Sequence, residues 1–473
     1  MNQAVNMESG RALTLWQQIT YSCGEIGVGL SPGIVVGWLL YYYTKASDIS
    51  YLPMPLFAIA FIMVFGRIID SVADPAIGYW SDKYNTPMGR RIPWVIFGTP
   101  LLFLTFVAMW FPPVNETSWW NFLWLLFFCG GFWFFFTAVV APYLSLLPEI
   151  TPYNDERISV SMFMGYGDVI GMICATMFAG MLIDRFSDGL TIGPIHLSDG
   201  YKVMSIIIGL AMVAMFYISV GWVREQPHTP EKDVPFKFFE AFKFCMNDTF
   251  IPYVVSMGFF RVAVDVLVAI IPFMVDAMMY KREDVAGMLQ AVIVVAAAFL
   301  FPLVLKLSKK YGKKKLFLVG LLIFAIVLPF IVLIQWVPQV FGIDIDLDPA
   351  KAGMARLIFA VVTFLGITFS VACSFVLQRA IIADIIDVDA ERTGYRREAM
   401  YNGMEGLITK FAAAIATALV PMFLWAFGDG DVVGVLGQFY GLGPEWGILL
   451  VGPFSGILLY FGYVYFKRYP IEK

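Results

Sequence analysis

The sequence predicts an all-α membrane protein with twelve spanning helices arranged as two similar halves. Three observations carry this: long apolar blocks, few charges between them, and basic loops that recur on one side. The chain has 473 residues, 59% hydrophobic and only 14% charged, where a soluble domain carries about 25% charged residues. A spanning helix needs about 20 mainly apolar residues. Such blocks fall at 17–43, 54–80, 92–112, 119–147, 159–184, 201–223, 251–279, 285–307, 316–338, 355–384, 401–426 and 445–467. A soluble chain of this make-up would need one enormous core, whereas large soluble chains divide into domains.

Lysine and arginine set the orientation. One set of loops holds Lys83, Arg90, Arg91, Arg157, Arg224, Lys232, Lys237, Lys243, Lys309, Lys310, Lys313, Lys314, Lys315, Arg396, Arg397, Lys467 and Arg468. The other set holds Lys45, Arg185, Lys281 and Lys351 among a few. The first set is therefore expected in the cytoplasm, with both termini. The polar stretch Arg224–Asp248 divides the helices six and six. The domain reading is a first bundle at 1–223, a linker at 224–250 and a second bundle at 251–473. In the linker, Lys237, Glu240 and Lys243 oppose Phe238, Phe239 and Phe242, which predicts either an interfacial helix or a linker packed on protein. The halves repeat a short basic loop with a glycine after their second helix: Gly89-Arg90-Arg91 in one, Gly312-Lys313-Lys314 in the other. Parallel repeats of this kind are a known transporter architecture.

Metal and disulfide chemistry find no support. The two histidines, His196 and His228, do not pair, and Cys23, Cys129, Cys174, Cys245 and Cys373 are scattered. The stretch before the first helix is too short for a cleaved signal, so that helix is expected to stay as its own insertion signal. Asn115-Glu116-Thr117 fits a glycosylation sequon, but in a loop too close to the bilayer to be useful. The aromatics, 17% of residues, are accounted for by membrane interfaces and packing, with sugar stacking as the alternative.

The informative residues are charges kept where charges are expensive, at least about 2.5–3.5 kcal/mol each at a helix centre. These are Glu25, Arg67, Asp70, Asp74, Asp168, Arg261, Asp265, Arg379, Glu405 and Lys410. Asp70 and Asp74 are four apart and share a helix face with Arg67. Two close carboxylates call for a cation or a proton, the chemistry of a coupling site; the alternative for Arg67 and Asp70 is a structural ion pair. Arg261 and Asp265 suit a self-contained pair or a site equally. Glu405 and Lys410 stand about 140° apart around their helix, so each looks to another helix. Asp168 sits among Gly165, Gly167 and Gly171, which allow close helix approach. Glu25, Asp168, Arg261, Asp265, Glu405 and Lys410 are the candidate solute contacts. Asp82, Arg90, Arg91, Arg157, Asp384, Asp387, Asp389, Arg396 and Arg397 read as cytoplasmic-turn charges that latch helix ends, a gating set to which Arg67 is added.

The second helix carries a resemblance. Asp70-x3-Asp74-Pro75-x2-Gly78-x3-Asp82, then Gly89-Arg90-Arg91-x-Pro93-Trp94, resembles the glycoside–pentoside–hexuronide cation symporters, the melibiose-permease branch of the major facilitator superfamily. Tyr21-x2-Gly24-Glu25-x-Gly27, Tyr41-Tyr42-Tyr43-Thr44, Pro142-Tyr143-x-Ser145-Leu146-Leu147-Pro148-Glu149, Glu156-Arg157 and Ala383-Asp384-x2-Asp387-x6-Gly394-x-Arg396-Arg397-Glu398-Ala399 extend the likeness along the chain. The resemblance implies the major facilitator fold and cation-coupled uptake of a small organic solute, typically a glycoside. It implies that Asp70 and Asp74 contribute to the cation site and that Lys410 is the family lysine of the eleventh helix. The chain departs from that branch at Ala141, where the branch has a further acid, and at Gly29 and Gly165, where its sugar-binding aspartate and arginine fall. Melibiose specificity is therefore not carried over.

The expectation is a cation-coupled symporter for a sugar or glycoside, working by alternating access as a monomer in the cytoplasmic membrane. A lipid or lysolipid carrier of the same fold, or a transport-dead sensor, is the alternative. No enzyme, cofactor or nucleic-acid partner is expected. The coupling ion is H+ or Na+. Without an acid at Ala141, Asp70 and Asp74 make a poor cage for bare sodium. A proton needs only one carboxylate, and Arg67 favours the charged form of Asp70, so Asp74 is the expected carrier.

Overall fold

The computed structural model describes residues 13–44, 55–83, 86–150, 154–192, 194–223, 246–279, 283–345, 347–393, 398–429 and 433–471. The chain divides into two compact units, Met1–Glu231 and Lys232–Lys473. The expected interfacial helix around Phe238–Phe242 lies outside the described residues, as do Arg396 and Arg397.

The first unit holds α1 (Leu15–Thr44), α2 (Pro55–Lys83), α3 (Ile92–Ala108), α4 (Trp119–Ile150), α5 (Asn154–Ile173) and α6 (Gly200–Val220). Helix α5 runs on through a π turn at Cys174–Phe178 and a last segment, Ala179–Arg185. The second unit holds α7 (Phe250–Met279), α8 (Glu283–Tyr311), α9 (Lys313–Val327), α10 (Pro349–Thr393), α11 (Glu398–Phe427) and α12 (Val451–Phe466). Among the described residues, eleven helices are long and apolar enough to cross a membrane. The twelfth, α3, has 17 residues, about 26 Å at 1.5 Å per residue, slightly short of the ~30 Å hydrocarbon layer. The protein is an integral, multi-pass membrane protein.

Both units pack their helices in the same pattern. The first helix lies on the fifth and sixth, the second on the fourth, and the third on the fourth and sixth. The repeat suggested by two short loops is thus a repeat of the whole six-helix neighbourhood. Its two loop glycines match as well: Gly89 has φ 108° and Gly312 φ 86°, backbone that strains any residue with a Cβ.

Local chemistry explains the helix ends. Asp199 caps α6 by accepting from the Lys202 N–H at 3.0 Å, and a proline opens α3 where its missing N–H costs nothing. Helix α9 tightens into a 3-10 segment at Leu328–Trp336, where Pro329 removes a donor from the ladder. Helix α10, with 45 residues, is about 68 Å long, more than twice the hydrocarbon thickness. Three expected turn residues, Asp384, Asp387 and Asp389, therefore ride on a helical extension rather than a loop. Asp82 and Arg157 likewise fall within α2 and α5. Hydropathy marks where a helix leaves lipid, not where its backbone stops. A hairpin, Leu190–Ile192 against Ile195–Leu197, joins α5 to α6. It places His196 Nδ1 2.8 Å from the Thr191 hydroxyl.

The crossing of α1 and α5 depends on glycine. A Cβ on Gly171 would lie 2.6 Å from the Ile26 carbonyl, one on Gly167 2.7 Å from that of Ser22, and one on Gly29 2.7 Å from that of Asp168. All three obstacles are backbone and cannot swing aside. Gly171→Val is expected to lower stability by about 1–3 kcal/mol, read as a drop in thermal unfolding temperature in detergent. Gly165, with nothing within 4 Å of an added Cβ, should accept alanine without loss.

Candidate functional site

The charges of the first unit collect on two helix pairs. On α2, Asp70 is 1% exposed and Arg67 5%. Asp70 Oδ2 stands 3.8 Å from Arg67 Nη1, and Asp70 Oδ1 accepts from the Thr137 hydroxyl of α4 at 2.7 Å. The Arg67 guanidinium lies over the Trp133 ring, 3.7 Å from its centroid. An arginine sealed between a carboxylate and an indole face keeps its charge without water, because both neighbours offer negative potential. Asp74 follows one turn later and is half-buried. Ala141, one turn beyond Thr137 on α4, packs with Ala73, Ile77 and Ala138 in an apolar cluster. Past Asp70, the α2–α4 seam thus turns from polar to apolar.

The second pair is α1 with α5. Glu25 is 8% exposed and meets α5 at Gly167, whose added Cβ would come 3.2 Å from that of Glu25. Asp168, the next residue, is half-buried. Ser159 donates to Gln18 at 2.6 Å on the same seam. Tyr21 and Tyr143 cross-brace α1 and α4, each hydroxyl donating to the other's carbonyl at 2.6 and 2.9 Å. None of Glu25, Asp70, Asp74 and Asp168 is exposed.

In the second unit, Arg261 Nε meets Asp265 Oδ2 at 2.9 Å, the local i,i+4 pair that the spacing allows. Glu405 Oε1 accepts from Tyr253 of α7 and, at 2.9 Å, from the Gln378 amide of α10. Lys410 is half-buried farther along α11.

The basic loops behave alike. In the first unit Arg91 Nη1 donates to the Ser145 carbonyl of α4. In the second, Lys313 Nζ donates to Asp384 Oδ1 of α10 at 2.6 Å. Each loop thus ties itself to the fourth helix of its own unit. Arg90 is buried, Asp389 is buried and Asp387 is exposed. The side chains of Asp82 and Arg157 lie outside the described set. Replacing Arg91 or Lys313 by alanine is expected to slow uptake several-fold while leaving equilibrium solute binding in detergent nearly unchanged. A large loss of affinity would place these residues at the solute instead.

Thr137, Trp133, Tyr253 and Gln378 were not singled out by sequence, and Lys313 was named there without a role at the site. Only Lys313 had a signal, its place in the repeated loop.

A family model described as MFS/sugar transport protein matches residues 20–472. The chain belongs to the MFS/sugar transport family. Among its relatives is the sodium-dependent lysophosphatidylcholine symporter 1 of Gallus gallus, 24% identical over 98% of this chain and 88% of that one. Another is the isoprimeverose transporter of Lactiplantibacillus pentosus, 24% identical over 47% of this chain and 44% of that one. A solved bacterial homolog of the human lysosomal transporter Spinster shares the fold, with a TM-score of 0.65 at 16% identity and 96% of each chain covered. This MFS member is thus built like known transporters along its whole length.

Proposed function

We propose that the protein is a cation-coupled symporter of a small organic solute, a sugar or glycoside, in the cytoplasmic membrane with both termini inside. One observation carries the coupling: a carboxylate pair on α2 inside an apolar bundle, with Asp70 held by Arg67 and Thr137. Those partners compensate the charge of Asp70. Asp74, one turn on along the same face, is the carboxylate to which we assign the coupling ion. With Ala141 in an apolar cluster, the acids at this seam suit a proton better than bare sodium, which needs several oxygen ligands. The solute class follows from the family description and from the likeness of the motifs to glycoside symporters. Glu25 and Asp168, together at the glycine crossing of α1 and α5, are the solute contacts we favour. The protein acts as a monomer, and transport needs no chemical step.

The test uses proteoliposomes. Solute entry should alkalinise the outside medium, and Asp74→Asn should abolish this while sodium makes no difference. Uptake that needs sodium at fixed pH, with no proton movement, would reverse the ion and bring backbone or hydroxyl oxygens into the cage. A second reading, a lysolipid carried with sodium, is favoured by the lysophosphatidylcholine relative that spans nearly the whole chain. Thermal-shift screening against sugars and lysophospholipids, with and without sodium, separates the two.

A further inference from the structure

The coupling scheme above uses only the first unit and gives no task to Glu405, a buried acid of the second. Glu405 is 9% exposed. Its Oε1 accepts from two donors on two other helices, the Tyr253 hydroxyl and the Gln378 amide. Both donors are neutral. An ionised carboxylate in an apolar interior is costly unless a cation pairs with it. Arg379 acts on Glu405 electrostatically but makes no hydrogen bond or ion pair with it among the described residues. Lys410 points about 140° away around α11. Arg261 and Asp265, two turns along α7 from Tyr253, are paired with each other. Tyr401, one turn earlier on α11, is engaged by Asn247 at 2.7 Å.

The hydrogen-bond geometry suits both protonation states. In a carboxylic acid the carbonyl oxygen accepts two hydrogen bonds while the other oxygen carries the proton. Oε1 already has that carbonyl role, so adding a proton at Oε2 disturbs neither donor.

We propose that Glu405 is a proton-binding site of the second unit. The site is additional to Asp74 and does not depend on which ion Asp74 carries.

Infrared difference spectroscopy of the reconstituted full-length protein, stepped through pH, tests this directly. The expected result is a protonated-carboxyl band that titrates in the wild type and in Asp74→Asn, and that vanishes in Glu405→Gln. Glutamine keeps an oxygen acceptor for both donors, so this variant should retain the fold. Tyr253→Phe, which removes one donor, should keep the band but shift its frequency. Spectra unchanged by Glu405→Gln, or no titrating band assignable to it, would overturn the proposal. Sodium-only uptake with the Glu405 band intact would sink the Asp74 reading and leave this one standing.

Discussion

Asp70→Asn is expected to abolish solute accumulation and to destabilise the protein by about 3–5 kcal/mol. The magnitude follows from removing one member of a buried ion pair, because the surviving charge is left without compensation. Here the survivor is Arg67, 5% exposed, with the Asp70 carboxylate 3.8 Å from its Nη1. The Thr137 hydroxyl, which donates to Asp70 at 2.7 Å, would retain an oxygen acceptor in asparagine, so the loss comes from charge rather than hydrogen bonding. The measurement pairs thermal unfolding in detergent with uptake in vesicles. A double variant, Arg67→Gln with Asp70→Asn, removes both charges and should recover most of the stability but none of the transport. If the double variant transports normally, the pair is a structural brace and the coupling site lies elsewhere.

That experiment also separates the two readings that spacing alone left open. Helical periodicity makes Arg67, Asp70 and Asp74 neighbours on one face, and a buried charge in a membrane helix is conspicuous because it is costly. Both facts are visible in one dimension. The partners across the helix seam are not. Thr137 is one hydroxyl in an apolar α4 and Trp133 one aromatic among many, and nothing in their spacing distinguishes them from packing residues. The twelve apolar blocks were legible for the reason that lipid imposes: every span must be long and apolar. The glycines of α5 were legible as close-approach positions, although Gly165 has open space and Gly171 meets backbone. The Lys313–Asp384 tie joins residues 71 positions apart and needed the fold to bring α10 beside the α8–α9 loop. The α5–α6 hairpin was hidden because strands of 3 residues leave no alternation to read.

Trp133 provides the sharpest test of what holds the coupling face together. Its ring is 2% exposed, and the Arg67 guanidinium sits over it at 3.7 Å. Gly66 packs closely against the indole, since a Cβ there would come within 2.5 Å of it. A desolvated cation–π contact is worth about 2 kcal/mol; emptying a buried large aromatic site costs about 3–5 kcal/mol. Trp133→Phe keeps a negative ring face and most of the volume, whereas Trp133→Leu keeps apolar volume but no ring. If the indole face anchors Arg67, leucine should destabilise clearly more than phenylalanine. Transport should fall in the same order, because a guanidinium no longer seated on the ring is free to swing from Asp70. The difference between the two variants should shrink when Arg67 is already glutamine, since no cation remains to be held. Equal losses for phenylalanine and leucine, or a difference that persists without Arg67, would reduce Trp133 to filler and leave the ion pair to position itself.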